Sequence, residues 1–199
     1  MVTIASVVEG HGEVESVPLL IRNIANEVDP RVQIDLPHPV RIPKGKLLKE
    51  GGLERAVDFA ALLAGNNGAV LILIDSDGDC PAHHASRLVA RVSHSRPDLR
   101  SALVLAHREF ESWFLAAAVS LRGFRGLPVD LEAPEHPEDV IGAKEWLSRK
   151  IARGNYSPTI DQAKFTSRMN LESAKRASSF EKFYREVRRL IGECRTTAP

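Results

Sequence analysis

Carboxylates recur at three places where an aliphatic run gives out. Thr3 to Val8 stops at Glu9-Gly10-His11-Gly12-Glu13, Ala69 to Ile74 stops at Asp75-Ser76-Asp77-Gly78-Asp79, and Ser101 to Ala106 leads into Glu109-Phe110-Glu111. Acids gathered this closely repel one another, and without a counter-charge some would hold protons above the usual carboxylate range. A divalent cation resolves that conflict. Hard oxygen donors suit Mg²⁺ or Mn²⁺ better than Zn²⁺, which would normally recruit His or Cys. One or two such ions can clamp the attacking and leaving oxygens of an in-line phosphoryl displacement and lower the pKa of a bound water. The chemistry to expect is that of a nuclease or topoisomerase, with Glu9, Asp75 and Asp77 as the central candidates and Glu9 as ligand or general base.

The spacing supports convergence. On an extended backbone, residues two apart point the same way, so Asp75 and Asp77 form a pair, as do Glu109 and Glu111 if that stretch is extended. Glu9 and Glu13 share a face if a helix begins at once. Glu13, Asp79, Glu109 and Glu111 are candidates for a second metal or for orienting its ligands. The competing roles are a turn former for Asp79 and helix-dipole acids for the three glutamates. Arg41, Lys44, Lys46 and Lys49 surround Gly45 in a loop that either holds a substrate phosphate near the acids or is simply solvated. His83 and His84 follow the acids, but zinc would need a third soft ligand that the sequence does not supply. Trp113, Phe114, Trp146, Phe180, Phe183 and Tyr184 read as packing residues, while Arg185, Arg188, Arg189 and Arg195 form a helical basic stripe.

These acids need a scaffold that brings distant segments together. Thr3–Val8 reads as a buried strand, and the two glycines after it permit a sharp turn. Val14, Val17, Leu20, Ile21, Ile24 and Val28 then give helical spacing over Glu13–Val28, with Pro18 tolerable near the first turn. Val32–Leu36, extended towards Ile42, is an edge or broken strand because Pro37, Pro39 and Pro43 interrupt it. Helices are predicted over Leu53–Leu63, Ala82–Ser95 and Glu109–Val119, and fully buried strands over Ala69–Ile74 and Ser101–Ala106. This βα alternation predicts an α/β fold: a mostly parallel sheet with helices on both faces, whose ligands bind beyond the carboxyl ends of the strands. After Arg122 the texture changes. An acidic, Gly- and Pro-rich stretch is followed by helical patterns at Ala143–Arg153 and Phe180–Ile191 and by no further strands. The expected organisation is therefore a domain over 1–122, with a loop and helical extension over 123–199 packed on it.

Composition fits a folded domain. Of 199 residues, 43% are hydrophobic and 27% charged, and the net charge is +1, which excludes disordered and fibrous classes. No apolar run approaches the ~20 residues of a membrane helix and no leader opens the chain, so a cytoplasmic location is expected. Two distant cysteines, Cys80 and Cys194, fit a reducing compartment. Charge is uneven. Lys144 to Arg195 holds 13 basic and 6 acidic residues, a balance of +7, which makes the tail the candidate contact surface.

The same positions resemble the TOPRIM domain, whose pattern is a glutamate after the first strand and a DxD after a later one. Val8-Glu9-Gly10-His11-Gly12-Glu13 and Ile74-Asp75-Ser76-Asp77 match both parts in order. A second glutamate at Glu13 looks like the OLD-type branch of bacterial nucleases, where the resemblance implies that both glutamates and the aspartates serve two metals. More closely, the chain resembles a stand-alone bacterial family of unknown function in that neighbourhood. It shares VEGxxE, D-x-D-G, the R-E-F-E-S-W-F segment at Arg108 to Phe114, and a C-terminal helix with Phe180 and Phe183. The likeness implies a Mg²⁺- or Mn²⁺-dependent nuclease acting on DNA or RNA, in phage or plasmid defence. Its ATPase would be a separate protein, since the chain lacks GxxxxGK[ST]. Two other functions are open at this point. A receiver-like domain would use Asp75 as a phosphoacceptor, and a non-catalytic TOPRIM-like subunit would bind a partner ATPase or nucleic acid. A dinucleotide-binding fold is disfavoured, because Glu9 stands where a phosphate loop needs glycine.

Overall fold

A computed structural model describes residues 1–77 and 81–196, the side chains of residues 81–84 apart. Strand β1 (Val2–Val8) enters helix α1 (His11–Val28), and the chain returns through β2 (Ile34–Asp35) and β3 (Val40–Arg41). A short helix α2 (Lys44–Leu47), α3 (Gly52–Ala64), β4 (Ala69–Asp75), α4 (Pro81–Ser95) and β5 (Ser101–Ala106) complete the α/β unit. Every strand pairing is parallel. β1 and β4 are central, β5 lies beyond β4, and β2 and β3 both pair with β1, one at each end. The prolines explain this division, since residues that cannot donate to a ladder break an edge strand into two short pieces.

Side-chain alternation sorts the strands between two cores. Ala5, Val7, Val70, Ile72, Ile74, Leu103 and Leu105 pack with α3 and α4 on one face. Ile4, Val8, Leu71, Leu73, Val104 and Ala106 pack with α1 and the C-terminal elements on the other. β4 is buried along its whole length, as expected of a central strand covered on both sides. By the same alternation Asp75 follows Leu71 and Leu73 onto the α1 face.

The predicted helix over Glu109–Val119 is shorter, a five-residue α5 (Ser112–Ala116) followed by a 3-10 turn at Ala118–Leu121. Beyond it come α6 (Ala143–Lys150), a π-helical turn (Pro158–Gln162), α7 (Ala163–Arg168), α8 (Leu171–Ala174) and the long α9 (Ser178–Thr196). Phe165, Phe180, Phe183, Leu190 and Ile191 join the core against β1 and α1, so the extension shares the core of the strands. Trp113, Phe114, Phe180 and Phe183 are fully buried, as packing residues should be. Among the described residues no helix is long and apolar enough to cross a membrane.

Glu138 ties the acidic stretch to the start of α9. Glu138 accepts from the main-chain N–H of Ser178 at 2.9 Å and of Ser179 at 3.0 Å, and from both hydroxyls, capping α9 from another segment. Ser179 Oγ in turn accepts from Trp113 Nε1 at 2.8 Å. Losing a helix cap costs roughly 0.5–2 kcal/mol, so Glu138→Ala should lower the melting temperature by about 1–8 °C for a chain of this size. Glu135→Ala, which removes a side chain 91% exposed, should leave it unchanged in the same thermal scan.

Candidate metal centre

Parallel pairing of β1 with β4 sets Val7 opposite Ile72, and pairing of β4 with β5 sets Asp75 opposite Ala106, so three strand ends open at one edge. Glu9 follows β1 directly, with its Oε2 buried and without a hydrogen-bond partner. Burial raises its proton affinity and nearby Asp77 adds to the effect, while Lys44 and Lys144 offset it. Glu13 lies in the first turn of α1. Its Oε2 accepts from the N–H of Glu9 at 3.0 Å and of Gly10 at 3.2 Å, which caps the helix and holds the two glutamates together. Burial, then the charges of Glu9 and Glu111, push Glu13 up to about 7.

The chain turns from β1 into α1 within two residues, as expected, but not through left-handed backbones at Gly10 and Gly12. Neither has a positive φ. A Cβ on Gly10 would sit 3.0 Å from Glu13 Oε1, and one on Gly12 would sit 2.1 Å from Gln162 Oε1 and 2.7 Å from the Pro158 carbonyl. They are needed for close approach, at Gly12 to the π-helical turn.

Asp75 ends β4 and is buried, with Oδ1 accepting from the Phe110 N–H at 2.8 Å. Burial, then Glu13, Glu111 and Glu9, raise its proton affinity well above the usual range. Asp77 does not leave beside it on an extended strand. The strand stops at Asp75, and Asp77 takes a left-handed φ of 53°, so its carboxylate lies 65% exposed in an ion pair with Lys44. That turn is stitched to the β5 end: Ser76 N–H donates to the Ala106 carbonyl at 2.9 Å, and Asp77 N–H to the Arg108 carbonyl at 3.0 Å.

Glu109 and Glu111 are not an extended pair either. Arg108 has a φ of 60°, and Glu111 takes a helical conformation as the first flank of α5. Glu111 is fully buried, and its Oε1 accepts from Tyr156 Oη at 3.0 Å and Gln162 Nε2 at 3.5 Å. Its proton affinity is raised by burial despite Lys144 and Tyr156. Glu109 is partly exposed and accepts from the Lys144 N–H at 3.2 Å.

Lys144 is the residue that sequence reasoning missed. Its Nζ lies 3.4 Å from Glu111 Oε2, 3.9 Å from Asp75 Oδ2 and 3.9 Å from Glu109 Oε2. Only the ion-pair distance to Glu111 is short, and Glu111 Oε2 has no hydrogen bond of good geometry. Tyr156 and Gln162 were missed as well. The basic excess of the tail was a hint to Lys144 alone, and it says nothing about position.

The basic loop divides. Lys44 donates to the Asp75 carbonyl at 2.6 Å and to the Asp77 carboxylate, so it is a counter-ion of the acids rather than a free phosphate ligand. Lys46 and Lys49 are exposed and Arg41 is partly so. Asp79 and Cys80 lie outside the described residues, as do the side chains of His83 and His84.

Glu9, Glu13, Asp75 and Glu111 thus share one buried region, with Asp77 and Glu109 at its rim. Among the described residues no three acids, histidines or cysteines stand in a ready-made metal-binding group. The donor chemistry nevertheless fits a hard cation. Buried carboxylate oxygens of Glu9 and Glu111 lack hydrogen bonds, and lysine ammoniums stand where positive charge is required.

A pH dependence follows. Glu13 binds its proton more tightly folded than unfolded, so stability is fullest below the unfolded value near 4.5 and is lost as pH rises towards about 7. Glu9, Asp75 and Glu111 act in the same direction. In EDTA the melting temperature should therefore fall between pH 5 and 7.5, and Glu13→Gln, which keeps an amide-accepting oxygen, should flatten that fall. A wild-type profile that is flat or rising over this window contradicts the assigned electrostatics.

No curated protein and no solved structure matches this chain. Residues 8–188 match a family described as "Domain of unknown function (DUF4276)". That span takes in Glu9, Glu13, Asp75, Asp77, Glu111, Lys144 and the greater part of α9, and the chain belongs to this family.

Proposed function

We propose that this chain is a metal-dependent hydrolase of nucleic-acid phosphodiesters, acting in the cytosol as a TOPRIM-like nuclease of the OLD type. The observation that carries this reading is the delivery of Glu9, Glu13, Asp75 and Glu111 from three strand ends into one buried region. A carboxylate cluster this dense has little structural use without cations, because buried like charges destabilise the fold unless neutralised.

Glu9, Asp75 and Asp77 would hold Mg²⁺ or Mn²⁺, with Glu13 and Glu111 available for a second ion and Glu109 at the margin. A bound ion would supply Lewis-acid stabilisation of the phosphate and a more acidic water. The remaining work falls to the protein. Where Glu9 is not itself a ligand, its carboxylate would accept the proton of the attacking water, and a raised proton affinity suits a general base near neutral pH. Phe110 N–H fixes the Asp75 carboxylate, while Tyr156 and Gln162 fix that of Glu111. Lys46, Lys49 and Arg41 offer positive charge to the flanking backbone. A separately encoded ATPase is the partner proposed for it in phage or plasmid defence.

A second reading draws on the lysines. Lys44 and Lys144 already oppose the acids, which supports a TOPRIM-like binding subunit that needs no metal. A receiver-like role draws no such support, because Asp75 is buried and one of its oxygens is bonded to Phe110.

With Mg²⁺ or Mn²⁺ the purified protein should cut plasmid or single-stranded substrate. Glu9→Gln should slow cutting by roughly 10²–10⁴-fold, and Asp75→Asn should abolish Mn²⁺ binding by calorimetry while circular dichroism stays unchanged. Undiminished cutting by both variants would end the nuclease reading. A folded wild type that binds no Mn²⁺ selects the binding subunit.

A further inference from the structure

A second feature opens beside the acids on the far side of β5. A cleft of about 610 Å³, within the ~300–1,000 Å³ typical of small-ligand sites, lies between α4 and the start of α9. Ala85, Val89 and Leu105 form an apolar wall, and His107, Ser178 and Lys182 stand around it. Val89 is 42% exposed. His107 Nδ1 is buried without a hydrogen-bond partner.

The cleft and the acidic centre share a wall. Leu105 and His107 flank Ala106, which pairs with Asp75, so the cleft on the α4 face and the acids on the α1 face adjoin round the carboxyl end of β5. The segment between them is held firmly. Arg108 N–H donates to Ser76 Oγ at 2.8 Å, and Asp77 N–H donates to the Arg108 carbonyl at 3.0 Å. Both Asp77 and Arg108 have left-handed backbones, with φ of 53° and 60°. Non-glycine residues seldom adopt that conformation, and such strain concentrates at functional sites.

We infer that this cleft seats one unpaired nucleobase of the strand whose phosphodiester lies at Glu9 and Asp75, which makes single-stranded nucleic acid the substrate class. The inference rests on the proposed hydrolase reading. A base has apolar faces and a polar edge, which is the pattern of the wall and its surround. It enters only when free of its partner, as recognition of individual bases in a pocket requires. Lys182 at the mouth supplies charge complementary to the adjoining phosphate, and the Ser178 and Ser179 hydroxyls are already committed to Glu138. His107 and Lys182 are the lining residues assigned as polar contacts for the nucleotide.

The test uses fluorescein-labelled oligothymidylate and a labelled duplex, with Ca²⁺ replacing Mg²⁺ to prevent cutting. Wild type should bind the single strand more tightly than the duplex. Val89→Trp fills the cleft from a surface position and should weaken single-strand binding roughly 5- to 100-fold, the loss of one seated base, with Mn²⁺ affinity unaltered. Lys182→Ala should weaken it less and reduce its salt dependence. Should Val89→Trp bind oligothymidylate as wild type does while wild type still cuts, the cleft assignment falls and the hydrolase reading survives. Should Val89→Trp lose binding in a protein that neither binds Mn²⁺ nor cuts, the cleft assignment stands and the hydrolase reading falls. Equal affinity for duplex and single strand, or no binding of either, overturns the inference.

Discussion

Four carboxylates in one poorly solvated region form the constraint on which the rest of this structure depends. Isolated burial of a single carboxylate is prohibitive, and Glu9, Glu13, Asp75 and Glu111 also repel one another. The fold meets that cost in three ways. Main-chain amides at Glu9, Gly10 and Phe110 donate to Glu13 and Asp75. Side-chain donors reach Glu111, and Lys144 stands among three acids. What remains raises the proton affinity of all four acids. The parallel sheet imposes the problem, because pairing β1, β4 and β5 in this register brings their acidic ends together.

The C-terminal extension is therefore part of the centre. Lys144 comes from the first turn of α6, Tyr156 from the segment after it and Gln162 from the π-helical turn. Without residues 142–162, Glu111 would lose Tyr156, Gln162 and its nearest cation. Close approach of Gly12 to Pro158 and Gln162 locks that turn against the start of α1, while Arg125 and Ser157 hold its buried Asp161. Irregular helical turns of this kind recur at functional sites, where they aim a side chain that a regular helix would point elsewhere.

How far the sequence could be read followed the range of the forces involved. Ser101–Ala106 was legible to the residue because a run of six, buried on both faces, has no competing pattern. The broken edge strand was legible from Pro37, Pro39 and Pro43, whose effect is local. Glu9, Glu13 and Asp75 were legible because strand ends in a parallel sheet must meet. The pairing of Asp75 with Asp77 was misread, since alternation holds only while the strand continues, and long-range bonds to Ala106 and Arg108 end it. Lys144 and Tyr156 carry no local signature at all. Their positions depend on how a long irregular segment packs, which neither period nor spacing encodes.

The two lysines differ in how readily they could yield to another cation. Lys44 faces Asp77, whose side chain is 65% exposed, and ion pairs at such surfaces contribute little and are easily screened. Lys144 faces Glu111, which is fully buried, so withdrawing its charge uncovers a carboxylate with no water to replace it. Exchange at Asp77 is thus inexpensive, and exchange at Glu111 is coupled to the packing of the extension. A cation entering at the solvent edge meets the Asp77–Lys44 pair first, whereas Glu9 Oε2, which also lacks a partner, is buried. The inner acids, held by Lys144 and Tyr156, keep the geometry against which that outer pair is set. The asymmetry built into one cluster thereby separates a replaceable outer charge from a structural inner one.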